Sequence, residues 1–223
     1  MIPWETLDTA TIPGGTETLR LKRRGSEFSI MLGSNELMNS RLSGSEEALA
    51  RLTIERLAAP APRVLIGGLG LGFTLRAALP LLPPAARVAM VELVPAVVTW
   101  ARGPLASLHG DSLDDPRVTV VEEDVAKTIH ASKADWDAIL LDVDNGPEGL
   151  SRTGNDALYS PAGLAAARAA LAPGGVLSVW SAGPDAKFTR RLRASGLTVE
   201  ENAVRAGTTK RGARHVVWVG RKG

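Results

Sequence analysis

Val64-Leu-Ile-Gly-Gly-Leu-Gly-Leu-Gly-Phe-Thr-Leu-Arg76 reads as a buried strand that breaks into a glycine loop and restarts as a helix. Gly68, Gly70 and Gly72 admit backbone conformations closed to other residues, and they clear side chains from the place where a ligand would meet the main chain. Their spacing is G-x-G-x-G. A nicotinamide-binding loop calls for G-x-G-x-x-G, and Phe73 stands where its third glycine belongs. A glycine loop can also serve tight turning alone, so its meaning depends on what flanks it.

Downstream the same unit recurs. Short apolar strands are expected at Val64 to Gly67, Val88 to Glu92, Val118 to Val121, Ala138 to Asp142 and Val176 to Trp180. Ala/Leu-rich helices are expected at Phe73 to Leu82, Ala96 to Leu108 and Ala162 to Leu171. This alternation calls for a parallel sheet covered on both faces. The end of the chain differs: Leu197 to Val204 and His215 to Val219 flank a Gly/Thr/Lys loop and read as a closing antiparallel hairpin. Upstream, Thr18 to Lys22 and Glu27 to Leu32, with a turn at Arg24-Gly25-Ser26, form a small β appendage. Ser45 to Leu57 has helical apolar spacing, with a serine available as its cap, and Pro60-Ala-Pro62 closes it.

With 44% hydrophobic and 22% charged residues over 223 positions, the chain has ordinary globular composition. Its lack of cysteine excludes disulfides and thiolate chemistry, and its three histidines form no close pair that would suggest a metal site. No apolar run approaches the roughly 18 residues of a membrane span, and the first residues lack a signal-peptide pattern. A cytoplasmic, metal-free protein is expected. The net charge of +2 does not by itself suggest nucleic acid as a partner, and the basic runs Arg20 to Arg24 and Lys210 to Arg214 read as solvated hairpin turns, so a nucleic-acid partner is not expected. The five tryptophans read mainly as core, with Trp180 placed to line a pocket at the end of its strand.

Acids stand at three successive strand ends, where open α/β sheets bind their ligands. Glu92, followed by Leu93, ends the second strand 20 residues after Gly72, and its two oxygens match a vicinal diol. Asp124, followed by Val125, lies just beyond the third strand. Asp142 ends the fourth and is followed by Asp144. Each acid has a plainer reading, as a helix cap or as an acceptor of loop N–H groups. Together with the glycine loop they point to a nucleoside-bearing cofactor.

The segments Gly72-Phe-Thr-Leu-Arg76, Met90-Val-Glu92, Leu113-Asp-Asp-Pro-Arg-Val118 and Glu123-Asp124 continue into Asp137-Ala-Ile-Leu-Leu-Asp142, Asn145-Gly-Pro-Glu148, Leu158-Tyr-Ser160 and Leu171-Ala-Pro-Gly-Gly-Val-Leu177. In order and spacing they resemble the spermidine synthase family, the aminopropyltransferase branch of the class I S-adenosylmethionine-dependent methyltransferases. The resemblance implies a mostly parallel, Rossmann-like sheet of seven strands ending in an antiparallel hairpin. Residues 1–43 would form the short β appendage and residues 44–223 the catalytic domain. It further implies an adenosyl sulfonium donor bound by Gly68, Gly70, Leu71, Gly72, Glu92, Leu93, Asp124, Val125 and Asp142, with Glu92 holding the ribose and Asp124 the adenine. Asp142, with Asp144, would handle the acceptor amine. Asn145 to Tyr159 would form a gate, Glu46 would face the acceptor, and the assembly would be a homodimer.

The chain also departs from that family. Leu71 replaces the loop aspartate that meets the donor's amino end; Asp142-Val-Asp-Asn-Gly replaces Asp-Ser-Ser-Asp-Pro; and Ser45-Glu-Glu47 replaces a Tyr-[His/Gln]-Glu triplet. Loss of the loop aspartate removes a repulsion against the carboxylate of intact S-adenosylmethionine. The leading expectation is therefore methyl transfer from S-adenosylmethionine to a small or amine-bearing acceptor. Aminopropyl transfer from decarboxylated S-adenosylmethionine to a diamine is the alternative, and a non-catalytic nucleoside-binding module is the second.

Overall fold

The structure, a computed structural model, describes residues 2–143, 147, 157–207 and 213–223. The chain opens with β1 (Glu5–Thr11), β2 (Thr18–Arg24), β3 (Glu27–Leu32) and β4 (Asn35–Asn39), which pair antiparallel in that order. Leu21 faces Ile30 and Leu19 faces Leu32 across β2 and β3, and all four are buried. The appendage thus has two more strands than expected. β1 alternates too weakly to announce itself: none of its residues is fully buried.

Helix α1 (Gly44–Ile54) leads into the second sheet. This is built from β5 (Arg63–Gly67), β6 (Arg87–Glu92), β7 (Val118–Glu122), β8 (Trp136–Leu141), β9 (Leu171–Ser181), β10 (Thr198–Arg205) and β11 (Arg214–Arg221). The order is β10-β11-β9-β8-β5-β6-β7. Strands β5 to β9 pair parallel, and β11 lies antiparallel between β9 and β10. The expected seven-stranded sheet and its closing hairpin are both present.

Side chains alternate across this sheet as the two-residue strand period requires. Val64 and Ile66 of β5 enter one core with Leu49, Met90 and Trp100, while Leu65 between them enters the other with Ile139, Phe188 and Trp218. The first core also contains Leu21 and Ile30, so the appendage is fused to the main sheet through apolar packing. A hydrogen bond reinforces the junction: Trp100 Nε1 donates to Asp8 Oδ2 at 2.7 Å.

The covering helices are α2 (Phe73–Ala78), α3 (Pro95–Arg102), α4 (Ala106–His109), α5 (Val125–Ala131), α6 (Pro161–Ala170) and α7 (Ala186–Ala194). Two expected helices are shorter than predicted. Phe73 to Leu82 tightens into a 3-10 turn at Leu79–Leu81, around Pro80. Ala96 to Leu108 divides at Gly103-Pro104, because proline offers no N–H and restrains the residue before it. No described helix is long and apolar enough to cross a membrane.

From β5 the chain runs to β6 and β7 on one side, then returns to β8 and β9 on the other. The reversal opens a crevice at the carboxyl ends of β5 and β8, where ligands of such sheets bind.

Candidate active site

The glycine loop starts where β5 ends. Gly68, Gly70 and Gly72 all have positive φ, at 92°, 49° and 78°. Close packing requires glycine at each position as well. A Cβ on Gly68 would overlap the Asp142 carbonyl, one on Gly70 the thioether of Met38, and one on Gly72 the ring of His109. The loop is thus pressed between the end of β8, the appendage and α4.

Beyond it lies a cleft of about 770 Å³, open mouth included. Gly68, Gly70, Glu92, Leu93, Asp124, Val125 and Asp142 line it. The appendage supplies the facing wall through Ile12, Leu19, Ile30, Leu37 and Met38. These wall residues carry no chemical signature in the sequence; only the fold brings them here.

Glu92 is buried. Its Oε2 accepts the Leu69 N–H at 2.8 Å and its Oε1 the Val94 N–H at 2.9 Å. Burial raises its pKa, against the downward pull of the surrounding backbone N–H groups. The carboxylate thereby ties the end of β6 to the glycine loop. Asp124 caps α5, its Oδ1 accepting the Ala126 N–H at 2.9 Å, so the plainer reading of this acid holds alongside its place on the cleft wall.

A smaller recess adjoins the cleft. Leu37, Met38, Glu46, the loop from Gly68 to Phe73, Asp142 and Trp180 line it. Leu71 and Gly72 belong to this recess. Thr74 Oγ1 donates to Asp142 Oδ2 at 2.6 Å. Burial, and then the charge of Glu46, push the Asp142 carboxyl up to about 7, and the Thr74 bond only partly offsets them. Glu46 is also raised by burial, with Ser45 pulling the other way through a 2.6 Å hydrogen bond from its hydroxyl to Oε2. Glu47, next in the chain, turns away and accepts from Ser43 Oγ at 2.8 Å. Of the two acids in Ser45-Glu-Glu47, it is Glu46 that reaches the recess.

Tyr159, expected at the gate, is not among the residues that line the cleft. Its ring sits in the second core, edge-on to Phe188 with centroids 5.6 Å apart. The tyrosine ring gains more from burial against Phe188 than it would on a solvent-facing loop. Asp144, Asn145 and most of the expected gate lie outside the described residues. Among the described residues, no group of three or more His, Cys, Asp or Glu side chains could hold a metal ion.

Sequence reading also missed Thr74 and His215. His215 Nδ1 lies 2.9 Å from Ser45 Oγ, and the Trp180 ring stands edge-on to the imidazole at 4.8 Å. Nothing local marks this pairing, since 170 residues separate its two members.

Polyamine aminopropyltransferase of Mycobacterium tuberculosis (strain H37Rv) is 37% identical over 106 residues, which cover 46% of this chain and 19% of that protein. Polyamine aminopropyltransferase 1 of Streptomyces coelicolor is 36% identical over 130 residues, 57% of this chain and 24% of that one. The chain therefore matches about a fifth to a quarter of the length of these curated relatives. The crystal structure of spermidine synthase from Thermotoga maritima superposes with a TM-score of 0.77 at 19% identity, covering 98% of this chain and 72% of that one, and so shares the fold. The Spermine/spermidine synthase domain matches residues 45–187, well over half of the chain, and the protein belongs to that family.

Proposed function

We propose that this chain is an aminopropyltransferase domain, moving an aminopropyl group from decarboxylated S-adenosylmethionine to an amine acceptor such as a diamine. The observation that carries the reading is the placing of Glu46 and Asp142 in one recess beside the glycine loop. Two carboxylates there attract an ammonium group and repel a carboxylate. They thereby supply, from other elements, the discrimination that a loop aspartate would exert at Leu71. Methyl transfer from intact S-adenosylmethionine, placed first on sequence grounds, gives way because its donor would bring a carboxylate to this acidic recess. The names of the relatives point the same way.

In this reading the donor supplies an electrophilic carbon next to a sulfonium. Glu92 accepts the ribose hydroxyls, Asp124 accepts the adenine amino group, and Leu93 and Val125 cover the ring. The acceptor enters as an ammonium ion and must lose a proton before its nitrogen can attack. Asp142, with a pKa of about 7, is matched to take that proton at neutral pH. The new bond is N–C, the broken bond is C–S, and the thioether of the donor leaves. Asp144 and the segment after it are assigned to the acceptor and gate on sequence grounds alone.

The test supplies the protein with either donor and a series of aliphatic diamines and monoamines, and follows the thioether product. Release of 5′-methylthioadenosine, dependent on an amine and on the decarboxylated donor, is expected. Release of S-adenosylhomocysteine from intact donor would restore methyl transfer.

A further inference from the structure

A chain of polar groups runs from β11, the strand next to the edge of the main sheet, to the acceptor recess. His215, half-buried on β11, lies with Nδ1 2.9 Å from Ser45 Oγ, and Ser45 Oγ lies 2.6 Å from Glu46 Oε2. Ser45 is fully buried at the start of α1, so no bulk water competes for its hydroxyl. A serine hydroxyl has one proton to give and can accept others. When that proton goes to Glu46, the 2.9 Å contact with His215 is a hydrogen bond only if Nδ1 carries the ring proton. The order of donors is then His215 to Ser45 to Glu46. Trp180, edge-on to the imidazole and itself lining the recess, fixes the ring from the side.

We propose that His215 and Ser45 are positioning residues for the acceptor site: the imidazole commits the single proton of Ser45 to Glu46, and so holds that carboxylate ionised and aimed into the space it shares with Asp142. The assignment rests on the reading of Glu46 and Asp142 as the acids that handle the amine. A carboxylate that accepts a committed donor stays charged to lower pH than one that must share it. The charge kept on Glu46 then faces Asp142 and raises its hold on a proton, the condition a base near neutrality needs. Glu46 is faced by Asp142 from the end of β8, by Glu47 along its own helix, and by Ser45 with His215 behind it. Burial alone keeps His215 below its usual range, so near neutrality it is an uncharged donor.

The experiment is a site-resolved 13C titration of the Glu46 and Asp142 carboxyl carbons in the free protein, which needs no substrate. The two acids titrate as a pair, so both are followed in each variant. In Ser45→Ala, which removes one oxygen, the Glu46 midpoint should rise by about one pH unit, and the share of the upper step carried by Asp142 should shrink. His215→Phe should reproduce the direction of this change. His215→Asn, which keeps an N–H donor close to the position of Nδ1, should hold the wild-type profile. A Glu46 midpoint unmoved by Ser45→Ala, or equal behaviour of the Phe and Asn variants, overturns the assignment. With an amine acceptor in hand, kcat/KM for the amine should change its pH profile in Ser45→Ala while KM for the donor stays put. If no amine is turned over even by the wild type, the reaction reading fails, and the titration still decides the roles of His215 and Ser45.

Discussion

Asp142 is more comfortable protonated than charged, and this predicts how its removal behaves. Its carboxyl is raised from 3.8 to about 7, so the folded protein keeps a proton that the unfolded chain releases. Below pH 4 both states are protonated and the residue costs nothing. Between pH 4 and 7 the folded state binds more protons, so stability falls as pH rises; above 7 the full penalty is present. Asp142→Asn should therefore melt with the wild type near pH 4 and progressively above it up to neutrality, while amine transfer is lost. A series of thermal melts checks the first part, and a melting difference that ignores pH would contradict the burial argument. Glu92 is also raised by burial, but it differs in that both of its oxygens are engaged by backbone N–H groups. Glu92→Ala should weaken donor binding by about 2 kcal/mol or more in calorimetry, the value of a charge-assisted contact to the ribose. It should also lower the melting temperature, because the Leu69 and Val94 N–H groups lose their acceptor.

At the scale of elements, the turn from β5 into α2 is held by contacts that sequence spacing does not reveal. Gly72 has φ +78° and lies against His109. That histidine is buried, neither ring nitrogen has a hydrogen-bond partner among the described residues, and burial together with Arg76 pushes its pKa down to about 4. Gly72→Ala should therefore destabilise the protein by more than the ~1 kcal/mol of the backbone penalty alone. His109→Ala should recover part of that loss, and a double-mutant cycle by chemical denaturation would register the coupling; strict additivity would mean that the ring does not resist the added methyl. The glycine loop, the strand-end acids and the closing hairpin are legible in sequence because each depends on local pattern. Helix ends at Pro80 and Gly103-Pro104, the edge strand β1 and the burial of Tyr159 are not, because competing local rules or distant packing decide them. The Ser45–His215 pair lies wholly beyond such reading, as does Met38 against Gly70.

For the molecule as a whole, the appendage and the main sheet wall one cleft between them. Ile12, Leu19 and Ile30 wall the cleft from one side, and Glu92 and Asp124 do so from the other. The crevice itself exists because β5 has β8 as its neighbour: the Asp142 N–H donates to the Gly67 carbonyl at 2.9 Å, and the Asp142 carbonyl lies where a Cβ on Gly68 would fall. These two chain segments are far apart in sequence, and such parallel pairing must await costly loop closure. The consequence is kinetic. During refolding from denaturant, helical signal should return before the ability to bind a fluorescent adenosine analogue, since the pocket is completed only when the two central strands dock. Stopped-flow traces in which both signals recover together would place that docking at the start of folding instead.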